Sequence, residues 1–290
     1  MITPEQLTVT EDLFFQTLPA FADEANAPYT FRAMQPFLTE AVARIADTLS
    51  PATDLHDGEE RQALYYAQAF VCYCAAFTAV PQLDLVFTPN GFGVVSNQHV
   101  APASRDRVDA LLHSLETGRD EFYTRLVEFL RNQSAAWCAS AVAHRVYSSL
   151  VSLPADASAS GIYDEHTRQP PANFRELTPF RARIGEAESV LANFISEELL
   201  AAVIERQLTP HAQRYTRENT PYTILLNRCR IFVGCYCAHP GDPALRGIGL
   251  KIAAYAQQKG VEEYLNSSLV QAARGEHYEN RKNDTLFFFN

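Results

Sequence analysis

Six cysteines carry the most reactive side chains of this chain. Four of them fall in two C-x-C pairs, Cys72 with Cys74 and Cys235 with Cys237, while Cys138 and Cys229 stand alone. A C-x-x-C spacing would suit zinc or dithiol exchange. Both C-x-C pairs lie in helical patterns, where side chains two positions apart leave nearly opposite faces. The spacing therefore predicts small buried hydrophobes kept reduced in a cytosol, with His239 near Cys237 as the one suggestive neighbour. Asp164, Glu165 and His166 have the right types for acid and base work. They sit in a polar stretch with no folded wall to desolvate them, which reads as loop polarity. His144, in a helical pattern with Trp137, Val142 and Tyr147, reads as an ordinary helix histidine. There is no G-x-S-x-G, H-E-x-x-H, Walker loop or G-x-G-x-x-G. Gly91-Phe92-Gly93 is not followed directly by a helix, so nothing aims a helix N-terminus at a phosphate. The reading is of no catalytic residues, no metal and no cofactor.

The elements that would position any site are mainly helical. Helix is expected near Glu11 to Ala25, from Ala33 to Leu49 (with Phe37, Val42, Ile45 and Leu49 at helical spacing), and from Glu59 to Val80, whose apolar residues cover much of the circumference. Alternation from Leu83 to Phe87, the turn residues Pro89, Asn90 and Gly91, and Phe92 to Val95 predict one β-hairpin at about residues 83–96. Arg105 to Glu116 is the next helix, with Gly118 as an interruption before Phe122 to Leu130, and another runs from Ser134 to Leu153. After a segment at 154–173 that is rich in Pro, Ser and Ala, helix starts are marked by Thr178-Pro179, by Ser196 with Glu197 and Glu198, and by Thr220-Pro221. The last helices run from Pro243 to Gln258 and from Val261 to Ala273. This divides the chain into an N-terminal helical domain (1–153) carrying the hairpin, a linker (154–173), and a C-terminal helical domain (174–290) ending in an extended tail.

Phe31-Arg32-x-x-x-Pro36-Phe37 echoes Phe174-Arg175-x-x-x-Pro179-Phe180, and Cys72-Tyr73-Cys74-Ala75 echoes Cys235-Tyr236-Cys237-Ala238. Two matches in the same order raise the expectation of an internally duplicated helical unit. The balance of 24 basic to 34 acidic residues, a net charge of −10, disfavours wrapping nucleic acid. Arg105, Arg107 and Arg119, interleaved with Asp106, Asp109 and Asp120, read as a solvated helix face. The N-terminus shows no secretory signal, and the apolar run from Ala69 to Val80 is about half the roughly 20 residues of a membrane span. Strand edges and free aromatic ends both gain by pairing. The hairpin tip (Asn90, Gly91, Phe92) and the tail (Leu286, Phe287, Phe288, Phe289) are accordingly the candidate interaction residues.

Two longer patterns carry a family resemblance. One is Pro81-x-Leu83-x-Leu85-x-Phe87-Thr88-x-x-Gly91 running on through Phe92-Gly93-Val94-Val95. The other is the helix Arg183 to Leu208 with Ile184, Glu186, Ala187, Glu188 and Ile195. In these the chain resembles a family encoded in bacterial prophage and phage gene clusters, close to capsid and tail genes, and is similar in style to head–tail connector, or adaptor, proteins. The resemblance implies a virion structural protein, assembled in the host bacterial cytoplasm, that forms a homo-oligomeric ring between portal and tail. Its implied partners are the portal and tail proteins of the same virion and DNA that passes a channel without specific binding, with no membrane and no cofactor. The alternatives are a tail-completion or capsid-associated protein of the same virion, or a helical enzyme whose dispersed site uses a cleft carboxylate with His113 or His144.

Overall fold

The apolar stretch beyond residue 57 folds as one long helix because alanines and other residues without a helix-breaking preference leave its ladder uninterrupted as far as Pro81, in the last turn. Asp57, Glu59 and Glu60 also place negative charge at the positive end of its dipole. The computed structural model describes residues 2–22, 27–83, 85–88, 91–94 and 104–274, and the chain is mainly helical. The first half comprises α1 (Glu11–Thr17), α2 (Ala27–Leu49), α3 (Asp57–Leu83), α4 (Arg105–Gln133), α5 (Ala135–Cys138) and α6 (Ala141–Val146). Between α3 and α4, strands β1 (Leu85–Thr88) and β2 (Gly91–Val94) pair antiparallel, Leu85 opposite Val94 and Thr88 opposite Gly91.

α3 lies between α2 and α4. Ala63, Ala67, Val71, Cys72, Ala75, Ala76 and Ala79 are all but inaccessible, and their small size lets the flanking helices come close. Residues 57–82 have the length and apolarity of a membrane span, but here the helix is the middle layer of a core that also holds Phe14, Met34, Ile45, Leu126 and Trp137. Gly118, expected as an interruption, lies inside an unbroken α4. A Cβ at that position would sit 2.4 Å from Cε1 of Tyr73, so the glycine is a point of close helix approach rather than a break. Trp137 is pinned by its indole N–H, which donates to the Thr48 carbonyl at 2.7 Å. The Ser134 hydroxyl caps α5, accepting from Trp137 N at 2.9 Å while donating to Asp54.

The second half comprises α7 (Pro154–Ser160), α8 (Phe174–Leu177), α9 (Arg181–Ile195), α10 (Glu197–Glu205), α11 (His211–Arg214), α12 (Thr220–Ala238), α13 (Ala244–Gln258), α14 (Glu262–Leu265) and α15 (Ser268–Arg274). Helices α9, α12 and α13 pack on one another around Leu191, Leu225, Phe232 and Ile252. Ser196 caps α10, accepting from Leu199 N at 3.2 Å, and does so at φ +80°, a strained conformation for a residue with a side chain.

Three expectations are corrected by this arrangement. The segment 154–173 does not behave as a free linker, because its first residues form α7, whose Pro154, Asp156, Ala157 and Ser160 are buried against the second core. Small residues there serve close packing: a Cβ on Gly234 of α12 would stand 1.7 Å from the Ser160 carbonyl oxygen. The proposed duplication also fails. Phe31 to Phe37 lies within α2, which accommodates Pro36, whereas Asn173 caps α8 and Pro179 opens a 3₁₀ turn, so the matching motif has a different backbone. Likewise, Cys72-Tyr73-Cys74-Ala75 lies well inside α3, and Cys235-Tyr236-Cys237-Ala238 is the end of α12. Finally, the charged face of α4 is solvated only in part. Arg105, Asp106, Arg107 and Asp109 are exposed, but Glu116 and Asp120 are buried. They are needed there because Asp120 accepts from Phe174 N at 2.8 Å and Glu116 pairs with Arg175 at 3.3 Å, docking α8 onto α4.

Candidate functional site

The two cores meet at a polar seam built around Arg230 of α12. Its neighbours Cys229, Phe232 and Val233 must be buried, which carries the guanidinium inward with them. Arg230 Nε donates to the Leu150 carbonyl at 2.8 Å. Its Nη2 reaches Gln207 Oε1 at 2.8 Å and Asp156 Oδ1 at 2.6 Å. Asp156 Oδ2 in turn accepts from Leu153 N at 3.0 Å, closing the N-terminus of α7. Gln207 Nε2 donates to the Ser149 carbonyl at 3.0 Å, and Glu188 Oε1 receives the Ser149 hydroxyl and Leu150 N, both at 2.7 Å. A buried guanidinium with each partner satisfied is a rigid joint rather than a reaction centre. Neither Arg230 nor Asp156 stands out in the sequence; the one signal is a charged residue on the apolar face of α12.

The structure gathers some of the chemical candidates and leaves others apart. Glu165, Cys237 and His239 line one cleft of about 450 Å³, together with Arg183. Arg183 Nη1 bonds Glu165 and the Cys237 carbonyl, each at 3.3 Å. Burial pushes the Cys237 thiol up to about 11, which favours the neutral thiol over the nucleophilic thiolate. His144 lies in another cleft with Glu205 and Glu263, where Glu263 is occupied by the Tyr222 hydroxyl. His113 meets Glu176 at 3.8 Å on an open surface. Among the described residues no three His, Cys, Asp or Glu side chains gather as a metal site.

The strongest feature for recognition is apolar. On one side of the second core, Ile231 of α12 and Ile248, Ala254 and Tyr255 of α13 line a groove of about 440 Å³. Ile231 in this lining is about half exposed, at 51%, which is unusual for a large aliphatic side chain. Cations edge the groove: Lys251 lines it, and Arg228 lies 4.1 Å and Lys259 5.8 Å from the Tyr255 ring centroid. Sequence reading passed over this face because a helix with apolar residues around most of its circumference gives no sign of which side is left open. Of the residues expected to make contacts, Gly91 and Phe92 are in β2, paired with Thr88 and Phe87. Asn90 and Leu286, Phe287, Phe288 and Phe289 lie outside the described residues.

Residues 31–149 match the model of a family of unknown function, DUF6712. The match runs from α2 just past α6, so it takes in the central helices of the first core and stops at the seam. No curated protein and no solved structure matches the chain.

Proposed function

We propose that this protein is a structural subunit of a phage virion, a head–tail connector that works by shape and burial in a homo-oligomeric ring between portal and tail. The observation that carries the reading is the open groove on α12 and α13. Half-exposed Ile231 with Ile248 and Tyr255 beside a cationic edge forms a surface that gains by being covered. Its occupant, in this reading, is the Leu286 to Phe289 segment of a neighbouring copy. Sixteen residues follow α15, enough to span roughly 50 Å when extended. Asp284 just before the aromatic run would meet Lys251 with opposite charge. The hairpin tip from Asn90 to Phe92 would add a second contact, toward the portal or tail. The virion assignment itself draws on the family resemblance. A predominantly acidic surface suits a channel through which DNA slides without sticking.

Native mass spectrometry of the purified chain tests this. The intact protein should form a closed oligomer, and both removal of residues 286–290 and Ile231→Asp should yield folded monomers with unchanged circular dichroism. A wild-type chain that stays monomeric at every concentration, or one that assembles equally well after both changes, overturns the reading.

A further inference from the structure

A second cleft, independent of the connector reading, has the opposite character. Where α2, α6 and the start of α9 come together, three arginines from three separate elements, Arg44, Arg145 and Arg181, line a space of about 460 Å³, within the size range of small-molecule sites. Asp47 is the one carboxylate in its lining. Arg181 is held in place by an Nη2 bond to the Ser152 carbonyl at 3.1 Å, and Arg44 is steadied by Glu40 at 2.6 Å. The Arg145 side chain makes no hydrogen bond or ion pair among the described residues. Tyr123 and Phe174 form an aromatic wall, their rings edge to face at 5.9 Å.

A chain with ten more acidic than basic residues has carboxylates to spare, yet here three arginines line one space with a single carboxylate, Asp47, and only Arg44 has a carboxylate of its own in Glu40. Arginine's planar donors match phosphate oxygens, and an aromatic wall adds a flat surface for an organic group. We propose that this cleft binds a small phosphate-bearing ligand, with Arg145 as the principal contact and Arg44 and Arg181 flanking it. The phosphate could belong to a small molecule or to a nucleic-acid backbone, and the net charge of −10, which opposes a long phosphate chain, favours the small molecule.

Isothermal titration calorimetry with pyrophosphate tests it, against sodium chloride at equal ionic strength and against a short single-stranded DNA. Saturable pyrophosphate binding is expected, weakened about tenfold or more by Arg145→Gln, as losing one charge-assisted contact would do. Arg44→Gln should give an independent weakening, and Arg105→Gln, outside the cleft, should bind as wild type. Pyrophosphate heats no different from chloride overturn the proposal, as does full affinity in both cleft variants. Preference for the DNA over pyrophosphate overturns the assignment to a small ligand.

Discussion

Replacing Gly234 with alanine should unsettle the joint between α7 and α12 far more than adding one methyl group suggests. The new Cβ would lie 1.7 Å from the Ser160 carbonyl oxygen, and carbon–oxygen contacts settle at about 3.3 Å or more. One helix must therefore withdraw by roughly 1.5 Å. The obstacle is backbone, so no rotamer change relieves it, and any withdrawal of α7 pulls on Asp156, which bonds Arg230. Overpacking of this kind costs about 1–3 kcal/mol and sometimes more, against a helix-propensity gain of about 1 kcal/mol for Gly→Ala. With the 1.7 Å approach placing the cost at the upper end, the clash should win, leaving a net loss of up to about 2 kcal/mol. Gly185, in the interior of α9, has nothing within 4 Å of an added Cβ, so Gly185→Ala should gain up to about 1 kcal/mol. Urea unfolding at constant m-value reads both changes on one scale. A Gly234→Ala midpoint equal to or above wild type would refute the close approach of α7 to α12.

Three further outcomes follow from buried groups. Arg230→Met removes the partner of buried Asp156 and leaves the Leu150 carbonyl and the Gln207 side-chain oxygen without that donor, and should cost about 3–5 kcal/mol in urea unfolding; a loss below about 1 kcal/mol would show the seam to be dispensable. Burial pushes Cys72 and Cys229 up to about 12 and Cys138 and Cys237 up to about 11, from an ordinary value near 9.0. Since the folded pKa exceeds the unfolded one, this contribution is fully present below pH 9 and is lost as pH rises toward 12, by up to about 1.4 kcal/mol per pH unit for each thiol. Only Cys235 is exposed, so a colorimetric thiol reagent at pH 8 should find one fast thiol in the native protein and six after unfolding; several fast thiols in the native state would contradict the burial.

Much of the helical layout is legible in the residues, because long periodic segments and capping side chains act locally. Thr10 and Ser196 cap the helices they precede, and the apolar density of 59–80 marks the helix at the centre of the first core. What was not legible depends on partners distant in sequence. The segment 154–173 looks like a linker because alanine, serine and proline are small, and they are small because α12 lies against them. Glu116 and Asp120 look solvated until α8 is known to dock on them. Arg44, Arg145 and Arg181 are scattered over nearly 140 positions, so no spacing could bring them together. The open face of α12 and α13 is equally silent, since exposure is decided by what fails to pack there.

The seam has a consequence for how such a chain can change. Arg230 and Gln207 take hold of the first half mainly through main-chain oxygens at 149 and 150, which every amino acid possesses. A graft that preserves those two donors, and an α8 equivalent that meets Glu116 and Asp120, could therefore join a foreign C-terminal portion to the first half, making the junction a natural place for modular exchange.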